Sequence, residues 1–299
     1  MYRMKKYRII YLDAFTSEPF SGNPCAVLPQ ADGLSDDQMQ KIARETNLSE
    51  TAFVLPSDQA DLRVRYFMPW KEIPFAGHPT IATAFLLALE GMVPVGETVS
   101  RIAFEFEIGV LPVEIRWDFS GQPILAVMTQ KQPSFGSRCP LQALAECLGL
   151  GEGDFLPAAP IQIVDTGVPF LLAPMKSLNG LRRARMDRIA LQSLLKDFGV
   201  DAVYLFCLGG VERGTDFHGR LFSPAGGAED PFTGSAVGCA GAYIVRHGLL
   251  SGPVLQAEQG HLIGRPGKGS VTVVGTAECI DAVRVGGTAV KTLDGFIYL

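Results

Sequence analysis

Arg65-Tyr66-Phe67-Met68-Pro69, followed by Pro74-Phe75-Ala76-Gly77, is a pair of motifs that this 299-residue chain repeats in similar form further on, and the repeat indicates how the chain folds. The second copy consists of Arg220-Leu221-Phe222-Ser223-Pro224 followed by Pro231-Phe232-Thr233-Gly234. In both copies acidic residues separate the two motifs, and an apolar segment rich in Ala and Gly comes next. Identities in the same order over about a dozen positions favour a duplicated domain over chance similarity.

The duplication predicts an α+β fold with two pseudo-symmetric halves. Each half contains one segment that is apolar on all sides, residues 79–89 and 235–247, and such a helix has to be buried all round. A mostly antiparallel, barrel-like sheet wrapped around a central helix satisfies this requirement, and many short β-branched and aromatic runs supply its strands. We therefore predict an N-terminal domain at residues 1–120, joined by the tail 286–299, and a C-terminal domain at 121–285.

The composition bears on the cellular location of the protein and on the binding partners to expect. Hydrophobic residues make up 47% of the chain and charged residues 19%, which is typical of a folded globule with a sizeable core. A formal net charge of −5 gives no attraction to nucleic acid or to an anionic membrane, so neither is expected as a partner. The longest helix-like apolar stretch, 81–89, is about half of what a bilayer span needs. We expect a cytoplasmic protein with reduced cysteines.

The starts of the two apolar helices predict where a ligand binds. Both helices begin at a glycine turn, and a helix N-terminus presents unpaired N–H groups and a partial positive charge. Two such termini facing one interdomain cleft would hold the carboxylate of a small-molecule substrate. The substrate-binding residues predicted on this basis are Gly77, Thr80, Thr233, Gly234 and Ser235. Asn23 and Ser49 are predicted as further substrate-binding residues.

Other polar residues could supply acid–base chemistry. Glu50, next to Ser49, lies where a helix at 35–46 has ended and an apolar strand begins, and enclosure by apolar neighbours would raise its pKa toward neutrality. On this segment alone, however, a solvated loop glutamate is the better explanation. His78 would lie in the first turn of a buried helix, and Asp230 just before the second one. Asn23 belongs to a tight turn and is a candidate for lining the cleft.

Several other chemistries lack support in the sequence. No glycine-rich phosphate loop and no G-x-S-x-G nucleophile motif is present. The four histidines, at 78, 218, 247 and 261, are widely scattered, and the cysteines show no zinc-ligand spacing. We therefore expect no metal site.

Several short motifs, weak singly, match in order from about residue 9 to residue 275, nearly the whole chain. Together they resemble the phenazine-biosynthesis-like (PhzF-like) family: Asp13-Ala14-Phe15 with Gly22-Asn23-Pro24, Leu48-Ser49-Glu50-Thr51, Gly77-His78-Pro79-Thr80, Asp165-Thr166-Gly167, Glu229-Asp230-Pro231-Phe232-Thr233-Gly234-Ser235-Ala236, and Glu258-Gln259-Gly260 with Gly264-Arg265-Pro266.

This resemblance implies the diaminopimelate-epimerase fold, with the site between two halves. It implies that Glu50 shuttles a proton between substrate carbons, and that His78, Asp230 and Ser235 bind the substrate and steer the proton. It also implies an isomerase of the kind that acts on a dihydro-hydroxyanthranilate, without metal or organic cofactor, and commonly a homodimer.

Cysteine-based racemases of the same superfamily carry a thiol just before the glycine at each helix start. Ala76 and Thr233 occupy these positions here and cannot exchange a proton at neutral pH, which disfavours a racemase that uses two thiols.

Two alternatives to a Glu50 isomerase remain open. An epimerase or racemase of a small amino or hydroxy acid would instead pair Glu50 with a second base such as Asp230. A non-catalytic small-molecule binding protein on the same scaffold is the other alternative.

Overall fold

The computed structural model describes residues 5–226 and 229–299, and the chain separates into two compact units. The first unit extends to Met128 and also contains Gly286–Leu299, and the second is Thr129–Val285. Short strands in mixed pairings and few helices make this an α+β fold, as predicted. Within the described residues, no helix is long and apolar enough to cross a membrane.

Seventeen strands and six α-helices are found in the described residues. In chain order they are β1 (Lys6–Ala14), β2 (Asn23–Leu28), α1 (Asp36–Thr46), β3 (Thr51–Leu55), β4 (Leu62–Phe67), β5 (Glu72–Ile73), α2 (Gly77–Leu89), β6 (Val99–Phe106), β7 (Gly109–Trp117), β8 (Pro123–Gln130), β9 (Ser134–Arg138), α3 (Leu141–Leu148), β10 (Gln162–Asp165), β11 (Pro169–Met175), α4 (Leu178–Arg183), α5 (Arg188–Asp197), β12 (Val203–Leu208), β13 (Phe217–Phe222), α6 (Gly234–Arg246), β14 (Val254–Gln259), β15 (Gly267–Gly275), β16 (Ile280–Gly287) and β17 (Ala289–Tyr298).

The first unit is built around α2. Its residues from His78 to Ala88 are all buried, and it packs against β1, β2, β3, β7 and β17. Antiparallel pairs join β1 to β17 and β2, and β3 to β4, while β2 and β3 are parallel. The prediction of a helix buried on all sides is confirmed here. Pro79 fits because the first turn of a helix needs no N–H from it.

The second unit is built around α6, which is buried from Ala236 to Ile244 and packs against β10, β11, β12 and β15. Antiparallel pairs join β10 to β11, β12 to β13 and β14 to β15, while β11–β12 and β13–β14 are parallel. The helix approaches β15 closely because Gly241 has no side chain. A Cβ atom there would lie 2.4 Å from Cγ1 of the buried Val271.

Smaller amphipathic helices cover the outer faces of the sheets. Ser35 caps α1 through a reciprocal capping box with Gln38, and α1 buries Met39, Ile42 and Ala43, as the sequence pattern predicts. In the second unit α3 and α5 each bury one face in a common core with α4. The sequence pattern did not predict α4, whose six residues are too few to show a helical period.

Replacing Gly241 with Ala tests how tightly α6 is packed. The change improves helix propensity by about 1 kcal/mol, but overpacking a core typically costs about 1–3 kcal/mol. We therefore expect a net loss of about 1 kcal/mol in the free energy of unfolding, measured by urea titration. In a Val271→Ala background the same change should cost less, because the Cγ1 atom it meets is gone. Equal costs in the two backgrounds would contradict this explanation.

Candidate active site

Glu50 lies at the end of a short loop that is held at both ends. At one end Asn47 adopts a left-handed conformation with φ 52° and closes α1 by donating its N–H to the Ala43 carbonyl. At the other end Thr51, which is fully buried, opens β3. The Thr46 hydroxyl donates to the Ala43 carbonyl, so Thr51 is the donor in its 2.8 Å contact with Thr46. The position of Glu50 is therefore set by the backbone on both sides.

The structure brings Glu50, His78 and Asn23 together in the first unit. His78 is the second residue of α2, and its Nε2 atom lies 3.4 Å from Oε2 of Glu50. This distance is longer than a well-formed N–H···O bond and corresponds to a loose polar contact. On the other side of the ring, Nδ2 of Asn23 lies 3.2 Å from Nδ1 of His78. The side chains of His78 and Glu50 are only 8% and 15% exposed, so both polar groups are largely removed from water.

Two buried residues near Glu50 were missed by sequence reasoning, Cys25 and Tyr66. Burial raises the pKa of both well above its ordinary value, and the charge of Glu50 raises it further. Both groups are therefore neutral at physiological pH, and a protonated thiol is a poor base. Period-two alternation could have revealed Cys25, because it shares a face of β2 with Asn23.

Thr80 takes part in a hydrogen-bond chain inside the first unit. Its hydroxyl donates to the Ala76 carbonyl at 2.6 Å, so it accepts from the Tyr66 hydroxyl at 2.8 Å. Thr80 has no exposed surface. Its proton is thus engaged within the protein, and its predicted role in binding substrate stays a prediction.

The start of α2 has no side-chain cap. Its N-cap residue is Ala76, and no side chain caps the first turn. Gly77 is half-buried and Ser49 is exposed. The first-turn N–H groups carry partial positive charge, so this end of α2 can accept a carboxylate.

In the second unit, Asp230 and Thr233 lie on one turn, and the Thr233 hydroxyl donates to Oδ2 of Asp230. Gln259, which is buried, holds this turn. Its amide donates to the Asp230 carbonyl at 2.8 Å, and its Oε1 accepts from the Thr233 N–H at 3.3 Å. No side chain caps α6 either, whose N-cap residue is Thr233. Of the two residues that follow, Gly234 is buried and Ser235 half-buried.

Glu258 anchors a neighbouring loop in the second unit. The fully buried carboxylate accepts from the N–H groups of Val211 and Glu212, from the Thr215 hydroxyl at 3.0 Å, and from Nδ1 of His218 at 2.8 Å. Burial by itself raises its pKa, but these hydrogen bonds together outweigh burial and bring the pKa of Glu258 down to about 2. Glu258 is therefore ionised throughout the physiological range.

Two of the histidines scattered in the sequence are close in space. His218, Glu258 and His261 each offer a potential ligand atom, and these atoms lie within 4.8 Å of one another. The sequence spacing was thus a poor guide to their separation. Both Glu258 oxygens already accept hydrogen bonds from the protein, which fits a loop anchor better than a metal ligand.

Comparison with known proteins gives matches along nearly the whole chain. The profile of a family described as "Phenazine biosynthesis-like protein" matches residues 12–295. An uncharacterized isomerase of Clostridium acetobutylicum is 38% identical over 297 residues, covering 96% of each chain. The trans-2,3-dihydro-3-hydroxyanthranilate isomerase of Pseudomonas aeruginosa is 34% identical over 296 residues, covering 98% of this chain and all of the relative.

The fold is similar to that of a solved relative. The crystal structure of a Bacillus anthracis phenazine biosynthesis protein of the PhzF family superposes with a TM-score of 0.90 at 32% identity. The match covers 99% of this chain and all of the other.

Replacing Glu258 with Gln tests its role as an anchor. Whichever way the amide is oriented, its NH₂ group faces a backbone N–H, and leaving that donor unpaired costs about 1–3 kcal/mol. We expect the variant to be less stable by about 2 kcal/mol at pH 7, measured by urea unfolding. Because the folded pKa lies below the ordinary value, the stability that Glu258 contributes is present above about pH 4.5 and is lost as the pH falls toward 2.

The gap between wild type and Glu258→Gln should accordingly narrow between pH 5 and pH 3. Glu107→Gln, the same change at an exposed position, should leave stability unchanged at every pH. A gap that stays constant as the pH falls would contradict the assigned role of Glu258.

Proposed function

Because the chain belongs to the phenazine biosynthesis-like family and is an isomerase, we propose that it moves a proton between two carbon atoms of a small carboxylated substrate, with Glu50 as general acid and base. The observation that carries this proposal is the enclosed contact between Glu50 and His78, with Asn23 behind the ring. A largely buried carboxylate beside an imidazole suits a group that has to accept a proton and give it back. The named activity of the Pseudomonas aeruginosa relative supports a substrate that is cyclic or an aromatic precursor.

In the proposed mechanism the ionised Glu50 removes a proton from an activated C–H bond of the substrate. The resulting negative charge spreads through the conjugated system, and the protonated Glu50 then delivers the proton to a different carbon. His78 stabilises the carboxylate form of Glu50 and steers the proton. No metal and no organic cofactor is required, because both proton transfers use the same carboxyl group.

The substrate carboxylate is held by helix N-termini in this proposal. The absence of a side-chain cap on α2 and on α6 supports it, because the N–H groups of both first turns lack this kind of partner. In the second unit we assign substrate contacts to Asp230, Thr233 and Ser235. The expectation that the substrate lies between the two halves stays a prediction.

The two units are, we propose, equivalent halves produced by duplication. In the first repeat Nε of Arg65 donates to Oε1 of Glu72 at 2.7 Å. In the second repeat Nε of Arg220 donates to Oε1 of Glu229 at 2.8 Å. Each ion pair precedes a buried helix that no side chain caps. These shared contacts support the duplicated motif as a structural unit.

A cytoplasmic location and a homodimer complete the proposal. All six cysteines are free, and five of them are buried, as is usual for proteins of a reducing compartment. The homodimer is proposed from the family resemblance.

Replacing Glu50 with Gln tests the proposal directly. The variant cannot accept a proton, so isomerisation and the uptake of solvent deuterium into the substrate should fall by about 10²–10⁴-fold. The first substrate to use is trans-2,3-dihydro-3-hydroxyanthranilate, followed by other small cyclic carboxylic acids, with product and deuterium content read by NMR and mass spectrometry.

Glu45→Gln is the matched control, because it makes the same change at an exposed position five residues away. It should keep full activity. Undiminished deuterium uptake by folded Glu50→Gln would refute the role of Glu50. Uptake at one stereocentre without double-bond migration would instead identify an epimerase.

A further inference from the structure

We propose that Asn23 is a positioning residue that fixes the proton of His78 on Nε2, so that the resting enzyme begins its cycle with Glu50 as a base. This inference rests on the proposed function and goes further, because it assigns the tautomer of His78 and the residue that fixes it. It starts from the 3.2 Å contact between Nδ2 of Asn23 and Nδ1 of His78.

The donor–acceptor chemistry of this contact determines the tautomer. An amide NH₂ group only donates hydrogen bonds, so Nδ1 of His78 has to be the acceptor and carry a lone pair. In a neutral imidazole the proton then lies on Nε2. Nε2 is the atom that lies 3.4 Å from Oε2 of Glu50, so the protonated ring nitrogen is the one next to the carboxylate.

The opposite arrangement has a different consequence for Glu50. With the Asn23 amide reversed, its oxygen would face Nδ1 and require the proton there. The lone pair of Nε2 would then face Oε2 of Glu50, and two acceptors at 3.4 Å repel unless Glu50 carries a proton. As long as the His78 ring is neutral, the orientation of one buried amide thus selects between an ionised and a protonated Glu50 in the resting enzyme.

Cys25 and Tyr66, two buried residues near Glu50, donate their protons to other groups. The Cys25 thiol donates to the Ala26 carbonyl at 3.4 Å, and Tyr66 donates to Thr80. Since burial raises the pKa of Cys25 and Tyr66, both keep their protons, and neither proton is directed at Glu50 in these contacts.

The fold holds Asn23 firmly. It is fully buried, it is the first residue of β2, and it pairs with Ala14 of β1. Gly22, at φ 57°, makes the turn that leads into β2, and a Cβ atom there would lie 2.2 Å from the Ala14 carbonyl oxygen. The backbone that carries Asn23 therefore has little freedom, which suits a residue that has to orient another side chain.

The test uses Asn23→Asp, which keeps the shape of the side chain but replaces the donor with an acceptor. The ¹⁵N NMR spectrum of the full-length protein, with His78 assigned by its loss in His78→Gln, reports which ring nitrogens are protonated. In the wild type we expect Nε2 to be protonated and Nδ1 to be a free-base nitrogen. In Asn23→Asp we expect a proton on Nδ1.

The kinetic expectation follows from the tautomer. An outer residue that orients a functional histidine is typically worth about 10–100-fold in activity. For Asn23→Asp we expect kcat to fall by this factor while KM changes less than about threefold, because Asn23 acts on Glu50 through His78. Asn179→Asp, the same change on an exposed residue of α4 in the second unit, should leave the His78 signals and kcat unchanged.

The outcomes separate this inference from the proposed function. Wild-type protein with the proton on Nδ1 would overturn the inference without any variant, so it is testable even if Asn23→Asp does not fold. A folded Asn23→Asp variant that keeps the wild-type tautomer of His78 and the wild-type kcat would also overturn it. If Glu50→Gln is inactive in either case, the proposed function stands and only the role of Asn23 fails.

Discussion

A helix without a polar face is stable only when protein surrounds it, and α2 and α6 both impose this requirement on the chain. The first unit satisfies it with strands drawn from both ends of the sequence, since β17 pairs with β1 and both pack on α2. The second unit places α6 against four strands, closely enough that Gly241 cannot carry a side chain without a shift of Val271. The strands that pack on α2 and α6 thus cover the apolar surface of these two helices.

The same constraint shapes the chemistry of the first unit. Because the start of α2 is buried, His78 is removed from water, and its two ring nitrogens need polar partners within the protein. Asn23 lies next to Nδ1 and Glu50 next to Nε2. Removal from water also keeps Cys25 and Tyr66 protonated. Burial thus leaves a carboxylate and an imidazole as the groups suited to proton transfer, and it explains why the thiol two residues after Asn23 does not compete with them.

Sequence reasoning succeeded where one segment carried the whole signal. The apolar character of 79–89 and 235–247 was enough to predict two buried helices, and Ser35 with its acidic first turn was enough to predict α1. It failed where the signal was divided between distant segments. Gln259 holds the turn of Asp230 and Thr233, yet nothing in its own neighbourhood indicates this partner. The histidines 218 and 261 looked scattered for the same reason, although the pairing of β13 with β14 places His218 opposite Glu258 and the turn after β14 brings His261 close to the same carboxylate.

Residue type and order were enough to establish the fold class, the duplicated motif and the family, and to single out Glu50, His78 and Asn23 as candidates. The tertiary structure alone decided which atoms of these residues face one another. A hydrogen bond has a direction, and the direction depends on backbone positions that only the pairing of β2 with β1 and the packing of α2 define. Hence a candidate for the proton carrier could be named from the sequence, whereas the tautomer proposed for His78 could be inferred only from the folded chain.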